Sequence, residues 1–231
     1  MPWQPSPDWQ PLTAGTGQAT GGVWLTPDEQ VVKRLVPGIQ DPRHHAYWER
    51  QALVAESGVV ATTPGLRSPA CLAVERDPTG ITLRMAYVPP APWTPVALAA
   101  ALGRFARSSV TEPSWVARDV PRTPSHGDAH PINLIGRDSD DVLAIDWEQF
   151  GLAPTGFDLA CLLLAGNTPL DDLLAAHAGN TDVVRRGVTL IAAYTTVSRA
   201  AWSLTQPTPG NHVNQFLMLS NVVEEAAGHI A

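Results

Sequence analysis

Two short stretches of the chain carry side chains suited to moving a phosphoryl group. Residues 126–133 read His-Gly-Asp-Ala-His-Pro-Ile-Asn and residues 145–148 read Ile-Asp-Trp-Glu, which puts Asp146 thirteen positions after Asn133. Phosphoryl transfer asks for little covalent chemistry from a protein. It needs a carboxylate that orients the attacking hydroxyl and takes its proton, and oxygen ligands that hold Mg²⁺ against the phosphates. Asp128 supplies the carboxylate. Asn133 and Asp146 supply ligand oxygens, a sparse set of the kind Mg²⁺ completes with phosphate and water. An isolated loop Asp or Asn is ordinarily a turn or cap residue. The joint pattern is what points to a site: His-Gly-Asp, an Asn five residues on, then an apolar strand ending in Asp.

Such residues need a frame, and the pattern of the chain predicts one. The first third reads as strands at residues 9–14, 23–25 and 30–36, with a glycine-rich loop at 15–22 and a turn at 27–29. Val31, Lys33 and Leu35 share one face of the third strand by period-two alternation. Pro42 opens a helix that runs to residue 57, with Gly58 as its stop. A hairpin follows, with strands 71–76 and 81–88 around the turn 77–80. Pro89, Pro90, Pro92 and Pro95 form a stiff connector. The lobe boundary falls there, giving an α+β architecture: residues 1–89 with a five-stranded antiparallel sheet and one helix, and residues 90–231 mainly helical. Helices are expected at 96–108, 156–165, 170–178, 182–204 and 212–230. A short hairpin, with strands 134–135 and 142–146 and a turn at 136–141, returns Asp146 to the loop that carries Asp128.

With these residues in view, the sequence resembles the aminoglycoside phosphotransferase and choline kinase-like family, which has a two-lobed protein-kinase-like fold. The matching segments are HGDAHPIN (126–133) and IDWEQFGLAPTGFDLA (145–160). The resemblance implies ATP as donor, Asp128 as catalytic base, and Asn133 and Asp146 as Mg²⁺ ligands. It implies that His126 braces the loop and that Asp158 plays a structural part near a helix start. It also implies a strand lysine that contacts the α- and β-phosphates and a helix glutamate that anchors it. Lys33 and Glu49 fit those places, with Glu56 as the fallback anchor and Val31 beside Lys33 in the nucleotide-binding set. Gly15 and Gly17 stand where a phosphate-covering loop belongs, although the spacing has one residue more than GxGxxG. By the same resemblance, backbone groups of Ala86 and Val88 bind adenine. His130 either meets the transferring phosphoryl group or is a satisfied structural histidine. Glu148 either adds a metal ligand or caps a turn. Only thirty-seven residues separate Val88 from His126. Larger relatives carry more helix here, so the acceptor does not carry over with the resemblance.

Composition narrows the classes. A formal net charge of −7 argues against nucleic acid as a partner. No run of about 18 apolar residues predicts a membrane span, and no signal-like segment opens the chain. Cys71 and Cys161 stand far apart in apolar surroundings and read as buried reduced thiols. The expectation is a cytoplasmic enzyme acting on a small hydroxyl-bearing molecule. Two rivals were weighed. A two-metal phosphoesterase would need more His and carboxylate ligands than the seven histidines here provide. A catalytically inactive nucleotide-binding module would be expected to have lost Lys33, Asp128, Asn133 or Asp146, and all four are present.

Overall fold

The computed structural model describes residues 3–12, 19–42, 44, 46–108, 122–179, 181–206 and 210–228. Gly15 and Gly17 lie outside the described residues. Five antiparallel strands form the first sheet: β1 (Gln10–Pro11), β2 (Thr20–Leu25), β3 (Gln30–Leu35), β5 (Cys71–Asp77) and β6 (Gly80–Ala86), in the order β1-β2-β3-β6-β5. β3 is central and its later residues are buried, with Val32 and Leu35 both at or below 1% exposure. The face carrying Lys33, Leu35, Ile81 and Leu83 meets Ala52 of helix α1 (Arg50–Ser57) in a small core of its own. The other face buries Arg34, whose guanidinium holds Asp77 and Thr79 of the β5–β6 turn. That pairing keeps the Asp77 carboxyl well below the usual carboxylate range. Trp3 lies over Arg34, and Trp9 over Arg84.

α1 is shorter than the sequence predicts. Ahead of it, Tyr47 N–H bonds the His44 carbonyl and Arg50 N–H that of Tyr47, two tight turns rather than helix. Arg50 explains the difference. Its buried guanidinium draws the Pro42 and His44 carbonyls onto itself and reaches Phe150 O at 3.2 Å. His44 O takes Tyr47 N–H as well as the Arg50 guanidinium, closing a three-residue turn instead of a four-residue helical one. The expected stop is present: Gly58 has φ 64°, the left-handed C-terminal conformation that glycine adopts without cost.

The second half is helical around one large core. α2 (Pro95–Ala106) starts where Thr94 accepts the Ala97 amide, with Pro at the first position. It packs with α3 (Phe157–Ala165), α4 (Leu170–His177) and α5 (Thr181–Leu204) through Leu98, Leu102, Phe105, Leu159, Leu173 and Val188. The last predicted helix breaks at Leu219 into α6 (His212–Met218) and α7 (Ser220–Gly228). Leu219 leaves helical geometry as its side chain turns to the core. Three short strands escaped the sequence: β4 (Leu66–Arg67), β7 (Thr123–Ser125) and β10 (Gly151–Ala153). β4 joins the hairpin of β8 (Leu134–Asp138) and β9 (Asp141–Ala144), and β7 pairs with β10. The hairpin turns more tightly than expected, at Ser139 and Asp140, with Ser139 at φ 55°. Cys71 is exposed rather than buried, since it opens the outer strand of the five. Burial pushes the Cys161 thiol up to about 12.

Candidate active site

β7 delivers the chain to the His-Gly-Asp loop, and its pairing of Ser125 with Gly151 fixes the height at which the loop begins. Asp158, at the start of α3, gathers that loop from beneath. One of its oxygens accepts the Ser125 hydroxyl at 2.8 Å and Gly127 N–H at 3.1 Å, and the other accepts His126 N–H at 2.8 Å. Burial pushes the Asp158 carboxyl upward, while these three donors pull it down. Gly127 is the position that only glycine fits. Its φ is 85°, and a Cβ there would lie 2.3 Å from Gln149 O.

His126 is fully buried and ties the two motifs together. Its Nε2–H donates to Ile145 O at 2.8 Å, and its Nδ1 accepts Asp128 N–H at 3.3 Å, so one neutral tautomer satisfies both bonds. Trp147 stacks against the imidazole with ring centres 4.5 Å apart and is itself wedged between Phe105 and Phe150. Sequence reasoning left Trp147 to core packing and assigned Ser125 and Gln149 no role. The position of Trp147, immediately after Asp146, was the available signal.

Asn133 ends a single 3-10 turn that Pro131 begins and His130 caps, with His130 Nδ1 accepting the Ile132 amide at 3.4 Å. His130 therefore has a structural bond of its own, and its ring also lines the cavity described below. Asn133 Nδ2 donates to the Asp128 backbone oxygen at 3.0 Å and to Asp128 Oδ2 at 2.9 Å. Both donors being used there, Asn133 Oδ1 is the atom left to ligate. Ile145 N–H bonds Asn133 O at 2.8 Å, which sets Asp146 next to Asn133 across the fold-back. Asp146 holds φ 63° and ψ 54°, a left-handed conformation uncommon outside glycine and a form of local strain that collects at functional sites.

Lys33 Nζ reaches Asp146 Oδ1 at 2.6 Å. The expected Lys33–Glu49 pair is thus not the one that forms. Glu49 precedes α1 instead of lying within it and sits beside Tyr47. Glu56, the fallback, pairs with Arg76. The reason is physical: a lysine only 6% exposed needs a counter-ion at hand, and the hairpin brings one. Val31 lies next to Lys33 on β3, opposite Met85 of β6. Ala86 N–H is engaged by Ala70 O, so its carbonyl is the group open to a base. Val88 is buried against Gly136, where a Cβ would come within 2.0 Å of it. Burial first, then the adjacent Asp146 charge, raises the Glu148 carboxyl.

The donor set suits Mg²⁺. Asn133 and Asp146 offer two hard oxygens, few enough that phosphate and water must complete the shell. Among the described residues, no three His, Cys, Asp or Glu side chains gather as a two-metal hydrolase would need.

Asp128 opens onto a cavity of about 780 Å³ walled by α3, α5, α6 and α7. That volume suits a small-molecule ligand. Its Oδ2 is held by Asn133; among the described residues its Oδ1 takes no partner.

Residues 85–186 match the model of a phosphotransferase enzyme family. No curated protein matches the chain. Solved structures share the fold. A choline/ethanolamine kinase family protein from Mesorhizobium loti is similar at TM-score 0.59 and 16% identity, over 95% of this chain and 87% of that one. The streptomycin–ATP–APH(2″)-IIa ternary complex is similar at 0.56 and 15%, over 83% and 84%. Choline kinase LicA from Streptococcus pneumoniae is similar at 0.53 and 13%, over 94% of each chain.

Proposed function

From a chain that matches a phosphotransferase family across residues 85–186 and shares the fold of aminoglycoside phosphotransferases and choline kinases, we propose an ATP- and Mg²⁺-dependent kinase that phosphorylates a hydroxyl group on a small molecule. The observation that carries this reading is the convergence of Asp128, Asn133, Asp146 and Lys33. His126 bridges the two motifs, Asn133 buttresses Asp128, and Lys33 meets Asp146. ATP lies between the sheet half, ending near Pro89, and the helical half. The Ala86 carbonyl and Val88 backbone meet the base, Val31 lines the pocket, and Lys33 meets the α- and β-phosphates. Gly15 and Gly17 take the phosphate-covering place that the sequence assigns them.

The acceptor enters the cavity and brings its hydroxyl to Asp128 Oδ1. The oxygen attacks the γ-phosphorus as its proton passes to the carboxylate, the bond to the bridging oxygen of ADP breaks, and the phosphate ester forms. Asn133 and Asp146 would hold Mg²⁺, which supplies charge neutralisation at the phosphates. Asn133 also keeps Asp128 in one rotamer, and His126 fixes the height of the loop relative to the hairpin.

The test separates base from ligand. Asp128→Ala is expected to lower kcat by orders of magnitude and leave ATP binding intact. Asp146→Asn preserves shape and is expected to weaken Mg²⁺-dependent ATP binding and turnover together. The asparagine is preferred because alanine strands Lys33 as a buried unpaired charge, at a cost of about 3–5 kcal/mol. ADP release at wild-type rate from either variant sinks the assignment.

A further inference from the structure

The cavity beside Asp128 is short of negative charge. Among its described lining residues, Asp128 is the one carboxylate and Arg199 of α5 the one guanidinium. The rest of its polar lining is neutral or imidazole, with Thr195, Asn211, Gln215 and Asn221 in the walls. Acidic residues are not lacking nearby. Asp171 and Glu225 both pair with Arg185, and neither they nor Asp172 and Glu224 line the cavity. Arg199, by contrast, makes no ion pair among the described residues. Arg199, an exposed residue of α5, and Asp128 both belong to the lining of this one cavity.

A polycation entering this space would find one carboxylate, already committed to taking a proton, and a like charge in the lining. Uncompensated charge in a semi-enclosed site is costly, and like charges across a contact add to the cost. An anionic group finds the reverse: a planar fork of donors matched to carboxylate or phosphate oxygens. Hydroxyls of the same molecule find amides and a threonine.

We propose that the acceptor is a hydroxylated small molecule carrying a negatively charged group, a carboxylate or phosphate, which Arg199 engages while a hydroxyl meets Asp128. This rests on the kinase reading above and narrows its substrate class.

Three acceptor sets discriminate: anionic (gluconate, glycerate, glycerol 3-phosphate), neutral (sorbitol, glycerol) and cationic (kanamycin, choline). ADP release by the full chain with ATP and Mg²⁺ gives KM and kcat. Calorimetric titration with a non-hydrolysable ATP analogue gives binding independently of turnover. The anionic set is expected to be preferred. Arg199→Ala should raise its KM about tenfold or more, acting on KM rather than kcat, as removing a charge-assisted bond does. Arg199→Lys should recover part of the loss, and Arg199→Glu should abolish the preference. Preference for the cationic or neutral set overturns the proposal, as does an anionic KM unmoved by Arg199→Ala or no calorimetric binding of any anionic compound. The two arms of the anionic set tell carboxylate from phosphate. If the chain also fails to bind the ATP analogue, the kinase reading falls with it. Nucleotide binding with a cationic acceptor overturns this inference alone.

Discussion

The two walls of the cavity beside Asp128 are built on different principles. On the loop-and-hairpin side, polar groups are tied to named protein partners: Asp158 to the loop amides, His126 to both motifs, Asn133 to Asp128, Lys33 to Asp146. On the side of α5–α7, Gln215 is bonded to Leu164 O and Asn211 to Asn214, but the Thr195, Asn221 and Arg199 side chains carry no hydrogen bond or ion pair among the described residues. A wall whose bonds are internal holds one geometry, which is what in-line transfer requires. A wall whose donors and acceptors remain open is available to a ligand. On the kinase proposal, the chemistry belongs to the closed wall and the choice of acceptor to the open one. Substitutions should separate accordingly, with geometry and kcat responding on the first and KM on the second.

The sharpest way to break this contrast is Gly127→Ala. The change removes no functional group. It forces a Cβ onto Gln149 O and a side chain into φ 85°. Left-handed geometry costs an ordinary residue about 1–2 kcal/mol and overpacking about 1–3 kcal/mol. The loop must then move, and Asp128 moves with it. We expect a loss of stability of roughly 2–5 kcal/mol by those same terms, seen as a lowered Tm, and a kcat reduced by orders of magnitude. Wild-type kcat from this variant would mean that the closed wall tolerates slack, and the distinction between the walls would fail.

What the sequence disclosed follows the same division. Features set by neighbouring residues were legible: the Gly58 stop, the β5–β6 turn, the hairpin that returns Asp146. The His-Gly-Asp loop stood out because its residue types and spacing are those the proposed chemistry needs. Features set by distant partners were not. Arg50 shortens α1 by capturing carbonyls six and eight residues away and one a hundred residues away. Lys33 takes Asp146 and not Glu49 because burial and the hairpin decide the partner. The strands β7 and β10 are three residues each and exist through mutual pairing, so they leave no periodic trace. The lining of the open wall comes from helices that are adjacent only once the core has formed. Nothing in the sequence pairs Asp171 and Glu225 with Arg185, which holds both.

A second test lies behind both walls, at the end of α4. His177 is 4% exposed, and among the described residues its Nδ1 has no partner. Burial, and then the charge of Arg107, lower it to about 4. Its unfolded value is about 6.5. Between those limits the unfolded chain binds more protons, so stability is complete above about pH 6.5 and declines as pH falls toward 4. A difference of that size corresponds to about 3 kcal/mol. Urea unfolding at pH 7.5 and 4.5 measures the decline in the wild type, and His177→Gln is expected to reduce it by 2–3 kcal/mol on the same scale. An unchanged decline would show that acid acts through other groups; Asp158 is not among them, because burial raises its carboxyl and the folded chain takes that proton first.

The smallest expected effect sharpens the comparison from outside. Glu56, the fallback anchor for Lys33, instead forms a surface pair with Arg76, and both side chains are substantially exposed. The Arg76 hydrogen bond lowers the Glu56 carboxyl, but solvent and salt screen such a pair to about 0–1 kcal/mol. Glu56→Gln should therefore shift stability by less than about 1 kcal/mol, with the difference shrinking as ionic strength rises, and should leave the KM for ATP where it was. A Glu56→Gln variant whose ATP KM rises severalfold would mean that α1 moves to bring this carboxylate to Lys33 when nucleotide binds. The Lys33–Asp146 pair would then be one of two states of the site, and the closed wall would be mobile on its nucleotide side.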